Sequence, residues 1–177
     1  MDDPAVVLEA AARFLEPRAR SVTEVRRRLT GAGYRTDLVE GAITRMLELG
    51  MLDDEAFARA WVESRDRARP RGERAIRQEL ALKGVDRSTV DLVLAERREA
   101  VADASGDDVG EGPSADEAAA ERLLARNARS LARVADPRQR RQKAYALLAR
   151  NGFDPEVCRT VAAQVEVDVS DEPPEED

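Results

Sequence analysis

The chain has 177 residues, no histidine, one cysteine (Cys158) and a net charge of −7. Without imidazole the usual general base and the commonest metal ligand are missing, and one thiol can close no intrachain disulfide. Only 3% of the residues are aromatic, which favours helices built on small aliphatic stripes over strands.

The first predicted element is a helix over 5–16. "SVTE", Ser21 to Glu24, is a capping box that opens a second helix. Its apolar face is Val22, Val25, Leu29 and Ala32. Gly33 ends it, and Val39, Ala42, Ile43 and Met46 mark a third helix, closed by Gly50. Next comes "GMLDDEAFARAW" (50–61), whose adjacent carboxylates could suggest catalysis or a metal. With no histidine to join them, they read as helix starters: Asp53 accepts backbone N–H groups and the next acids favour the dipole. The helix over 54–67 then turns Phe57, Ala60, Trp61 and Ser64 one way, with Arg59, Glu63 and Asp66 opposite. Ile76 and Leu80, then Val90, Val93 and Leu94, mark two further helices around Gly84. An acidic, Gly/Ser-rich stretch at 103–115 has the composition of a flexible linker or a helix extension. A helix over about 116–134 follows, then Leu147 and Leu148, Gly152, an Asp154–Pro155 helix start, and a last stripe of Val157, Val161 and Val165.

These elements repeat. Leu29, Leu80 and Leu148 each precede a glycine by four positions, and an apolar residue follows each glycine: Tyr34, Val85 and Phe153. The glycines fit the left-handed residue that closes one helix before the next. The expected fold is therefore all-α: an extended, curved tandem array of three three-helix, helix-turn-helix-like repeats at 1–50, 51–102 and 116–166. The linker or insert at 103–115 and a disordered acidic tail at 167–177 complete it.

Charge follows this partition. Residues 1–102 carry 19 basic and 19 acidic side chains, whereas 103–117 carry −6 and 166–177 carry −7. Residues 118–165 hold 10 basic and 4 acidic groups. A low overall pI is thus no argument against an anionic partner. "RDRARPRGERAIR" (65–77) packs six arginines, Arg65, Arg67, Arg69, Arg71, Arg74 and Arg77, around a Pro70/Gly72 turn. The fork of arginine suits phosphate and carboxylate alike. "DPRQRRQKAY" (136–145) adds Arg138, Arg140, Arg141 and Lys143. The arginines of "EVRRRL" (24–29) spread around their helix and read as solvated surface. Gly72 belongs to no phosphate loop, since no Gly-Lys-Ser/Thr follows.

"RARSVTEVRRRLTGAGY", "GMLDDEAFARAWVESR" and "RPRGERAIRQELALKGV" together resemble RecX, the family of bacterial regulators of the RecA recombinase. The resemblance runs from Arg18 to about Glu96 and more weakly through the third repeat. It implies tandem three-helix repeats that bind along RecA–DNA filaments and usually inhibit strand exchange and ATP hydrolysis, in homologous recombination, DNA repair and the SOS response. It also implies binding of single- and double-stranded DNA without strong sequence preference, with no catalytic site. The ten cations named above are the expected RecA- and DNA-binding residues. The acidic insert and tail depart from the plain family pattern.

The chain is expected to be a cytoplasmic monomer with no cofactor or metal, not an enzyme. No stretch approaches the length of a membrane span, and "MDDPAVVLEA" lacks the basic start of a secretion signal. The alternative is a helix-turn-helix transcription regulator. Against it, "TDLVEGAITRMLE" and "RSTVDLVLAERRE" lack the Asn/Gln/Arg cluster that base readout needs.

Overall fold

The computed structural model describes residues 3–105 and 113–165. Among these the chain is helical throughout, without strands: α1 (Pro4–Leu15), α2 (Val22–Gly31), α3 (Thr36–Glu48), α4 (Asp54–Ala68), α5 (Glu73–Leu82), α6 (Arg87–Ser105), α7 (Ala115–Ala132), α8 (Pro137–Arg150) and α9 (Pro155–Gln164). The stretch 106–112 of the acidic segment and the tail at 167–177 lie outside the described residues.

Four turns carry the repeat. Gly33, Gly50, Gly84 and Gly152 have φ of 86°, 67°, 77° and 81°, values open to glycine at little cost. After α2, the Tyr34 N–H donates to the Leu29 carbonyl at 3.4 Å and the Gly33 N–H to Thr30 at 3.0 Å. Val85 to Leu80 (3.1 Å) with Gly84 to Ala81 (2.9 Å), and Phe153 to Leu148 (3.4 Å) with Gly152 to Ala149 (3.1 Å), repeat the pair. This is the Schellman closure, which satisfies orphan carbonyls and folds the next apolar residue under the turn. Leu29, Leu80 and Leu148 are all buried, as are Val85 and Phe153.

Helix starts follow local chemistry. Ser21 and Glu24 form the reciprocal capping box of α2, and Ser114 with Glu117 makes a second one at α7. Asp154 accepts the Glu156 N–H at 2.9 Å, with Pro155 at the first helical position. Asp53 accepts the N–H groups of Glu55 and Ala56, both at 2.9 Å, so the acidic triplet does start a helix. Asp53→Ala should cost about 0.5–2 kcal/mol, read as a lower urea midpoint.

The chain divides into two compact units, and the division passes through the second helix triplet. One comprises Met1–Val62 and Gln78–Val93; the other comprises Glu63–Arg77 and Leu94–Asp177. In the first unit, α1, α2 and α3 pack around Val7, Val25, Leu29, Val39, Ile43 and Met46. In the second, α7, α8 and α9 enclose Ala119, Leu124, Ala144, Leu148, Phe153 and Val161. Two details of the expected stripes shift. Ala32 is exposed, because it lies past the last turn of α2. On α4 the buried line is Phe57, Ala58 and Val62, while Ala60 and Ser64 face outward and Trp61 is half-buried. The Trp61 ring keeps its indole N–H on the Glu79 carboxylate at 2.8 Å and its face under Lys83.

Candidate functional site

Each unit contains one joint between successive helix triplets, and the two joints are built alike. In the first unit, the Asp54 carboxylate at the start of α4 accepts the Val22 N–H at the start of α2, at 2.8 Å. In the second, Asp116 at the start of α7 accepts the Glu73 N–H at the start of α5, at 3.0 and 3.1 Å. An acid in the first turn of one triplet thus caps the second helix of the triplet before it. Burial raises the Asp54 carboxyl above its ordinary value against the Val22 hydrogen bond, helped by the Asp86 and Asp53 carboxylates and opposed by Arg26.

The turn glycines complete both joints. Ser21 Oγ donates to the Lys83 carbonyl at 2.6 Å, and Lys83 Nζ reaches Glu24 at 2.8 Å. Burial works against the Glu24 carboxylate, yet the Lys83 and Ser21 hydrogen bonds hold it below its usual range. A Cβ on Gly84 would lie 2.2 Å from Thr23 Oγ1. Correspondingly, the Gly72 N–H donates to the Asn151 carbonyl at 3.1 Å, and a Cβ on Gly152 would lie 2.4 Å from the Ala75 methyl.

The second joint carries a buried ion cluster. Arg97, on α6, is 7% exposed. Its Nε and Nη2 chelate Asp66 at 2.9 Å each, and its Nη1 reaches Asp116 at 2.7 Å. Fork-to-carboxylate pairing of this kind holds two carboxylates in fixed positions. Arg126 closes the end of α4 by donating to the carbonyls of Ala68 (2.6 Å) and Arg67 (2.5 Å).

All ten cations expected at a binding surface fall in the second unit, and the structure sorts them. Arg67, Arg69, Arg74, Arg138, Arg141 and Lys143 are exposed; Arg65, Arg71 and Arg77 are half-buried. Arg77 pairs with Glu73 at 2.9 Å and Arg67 with Glu63 at 2.5 Å. Two of the ten are engaged inside the protein. Arg71, beside the Pro70/Gly72 turn, donates from Nη1 to Asn151 Oδ1 at 2.8 Å within the joint. Arg140 is 7% exposed and donates from Nε to the Val134 carbonyl at 3.1 Å. Helical phase turns it inward to finish the end of α7 while its neighbours face out. Outside the expected set, Arg159, Gln142 and Tyr145 share a shallow cleft of about 530 Å³ with Arg138 and Arg141. The i, i+3, i+4, i+7 spacing of Arg138, Arg141, Gln142 and Tyr145 puts these four on one face of α8.

Among the described residues, no group of three or more His, Cys, Asp or Glu side chains could hold a metal ion. No helix among them is long and apolar enough to cross a membrane. Cys158 is fully buried in the α7–α9 core, and burial pushes its thiol up, away from the nucleophilic form.

Family models for the first, second and third three-helix domains of RecX match residues 8–46, 53–94 and 115–161. Regulatory protein RecX of Mycobacterium avium is 31% identical over 154 residues, covering 86% of this chain and 81% of that protein. Those of Mycolicibacterium vanbaalenii and Mycolicibacterium smegmatis are 40% identical over 83 and 84 residues. These two matches cover 47% and 48% of this chain but only 45% of each relative, under half its length. The crystal structure of RecX from Lactobacillus salivarius shares the fold with a TM-score of 0.74 at 18% identity, over 94% of this chain and 98% of that one. A further crystal structure of regulatory protein RecX gives 0.70 at 21% identity, over 90% and 71%. With all three of its helix triplets matched, the chain belongs to the RecX family of regulatory proteins.

Proposed function

We propose that this protein is a non-enzymatic regulator of the RecA recombinase. It binds RecA–DNA filaments, and DNA itself without strong sequence preference, and it inhibits ATP hydrolysis and strand exchange in recombination, repair and the SOS response. The observation that carries this reading is the match of all three helix triplets to successive RecX domains. Tandem small modules suit a filament, because weak contacts made by each unit add through effective concentration. The exposed cations at 67–74 and 138–143 supply groups that attract phosphates and carboxylates.

The test alters charge without touching a joint. Arg67, Arg69 and Arg74 are exposed, so their joint replacement by alanine should leave the melting temperature nearly unchanged. Binding to RecA-coated single-stranded DNA should weaken at least tenfold, equivalent to about 1.4 kcal/mol. The wild-type affinity should fall steeply with added salt, and the variant's less so. An unchanged melt with wild-type filament binding would place the partner surface elsewhere.

A further inference from the structure

Along α2, the side chains of Glu24, Arg27, Arg28 and Gly31 stand at i, i+3, i+4 and i+7 and so form one row. With Phe14, near the end of α1, they line a shallow cleft of about 360 Å³. Phe14 is half-buried and packs against the α1–α3 core, which fixes its ring. The Arg28 guanidinium carbon lies 5.9 Å from the ring centroid, and that of Arg20 lies over the same ring at 4.4 Å. Arg20 Nε is buried there without a hydrogen-bond partner among the described residues, a cost that attraction to the ring helps to offset. A guanidinium stacked on a ring keeps its in-plane N–H groups for an anion. Arg27 and Arg28 are exposed, whereas their neighbour Arg26 is already held by Glu40 at 2.6 and 2.9 Å. Glu24 is occupied too, accepting from Lys83 Nζ at 2.8 Å and from the Ser21 N–H at 3.2 Å. A Cβ on Gly31 would meet nothing within 4 Å, so the cleft is open at that end.

We propose that this cleft of the first helix triplet is a docking site for an acidic segment of a partner protein, with Arg27 and Arg28 on its carboxylates. The Phe14 ring positions Arg28, and Arg20 on the same ring adds its charge. The arginine fork pairs with a carboxylate through two parallel hydrogen bonds. Nucleic acid fits the cleft less well. Sequence-tolerant binding of single strands combines phosphate contacts with an aromatic ring on which a base stacks, and here the ring already carries two guanidinium groups. A strand also brings a phosphate at every nucleotide, one of them against the Glu24 carboxylate. A peptide spaces its carboxylates with neutral residues and can leave Glu24 unopposed. The cleft belongs to the first unit, whereas the ten cations expected at the RecA and DNA surface all belong to the second. The assignment therefore goes beyond the function proposed above and does not depend on it.

The test titrates the isotope-labelled full chain, without RecA, with a short peptide of alternating glutamate and alanine and, separately, with an oligothymidylate. Backbone amide shifts locate each ligand. The peptide should move the amides of Arg27, Arg28 and Gly31 in a saturable way. Charge reversal in Arg27→Glu/Arg28→Glu changes two exposed side chains, so the fold should persist, and at least tenfold more peptide should be needed for the same shifts. Phe14→Leu keeps an apolar side chain against the core but removes the ring, and should need at least threefold more. Wild-type shifts in the folded double-reversal variant overturn the proposal, as does a peptide that moves no amide of the first unit. An oligothymidylate that moves these amides at lower concentration than the peptide also overturns it, since the cleft then takes phosphates.

Discussion

Arg97→Ala is expected to cost about 3 kcal/mol of stability, near the lower end of what removing one partner of a buried ion pair costs. The Arg97 side chain is 5% exposed, and those of Asp66 and Asp116 are 25% and 15% exposed. Without the guanidinium, two carboxylates remain at the joint with less compensation. Each keeps one other donor, Arg122 at 3.5 Å for Asp66 and the Glu73 amide for Asp116, which is why the loss should not reach the upper end. Arg97→Lys should recover little, because one ammonium cannot chelate Asp66 and reach Asp116 together. Urea denaturation followed by circular dichroism gives the numbers. A loss below about 1 kcal/mol, the range of an exposed pair, would show that the cluster holds nothing together.

The second large effect separates turns of the same shape. Gly33 and Gly152 have nearly equal φ, 86° and 81°, so alanine at either suffers the left-handed penalty of about 1–2 kcal/mol. A Cβ on Gly33 would meet nothing within 4 Å, while one on Gly152 would lie 2.4 Å from Ala75 Cβ and 2.7 Å from its backbone nitrogen. Overpacking adds about 1–3 kcal/mol. Gly152→Ala should therefore destabilise roughly twice as much as Gly33→Ala, and Gly84→Ala should behave like Gly152→Ala because it meets Thr23. Equal losses at all three sites would mean that the turns close helices and do not join triplets.

The three glycine turns were legible because their requirement is local: a helix end, a positive φ and one apolar residue after it. Asp53, Ser21 and Asp154 were legible for the same reason, each capping an amide two or three residues away. Asp54 and Arg97 were not. The amide on Asp54 lies 32 residues upstream, and the carboxylates on Arg97 lie 31 and 19 residues away. In "LAERREA" Arg97 looks like any solvated arginine of a charged helix, and only the fold of the second unit, which brings Asp66 of α4 and Asp116 of α7 to it, gives it two partners. The basic runs were legible as charge but not as direction. Helical phase divides Arg138, Arg140 and Arg141 between a groove and a helix end, and the turn geometry draws Arg71 into a joint.

Action on RecA is read most directly in its ATP turnover. RecA from the same organism is assembled on single-stranded DNA with ATP in excess, and this protein is added at rising concentration. Hydrolysis should slow in a saturable way, and the Arg67/Arg69/Arg74→Ala variant should need at least tenfold more protein for the same effect. A hydrolysis rate that stays constant up to equimolar protein, with filaments intact throughout, would contradict it.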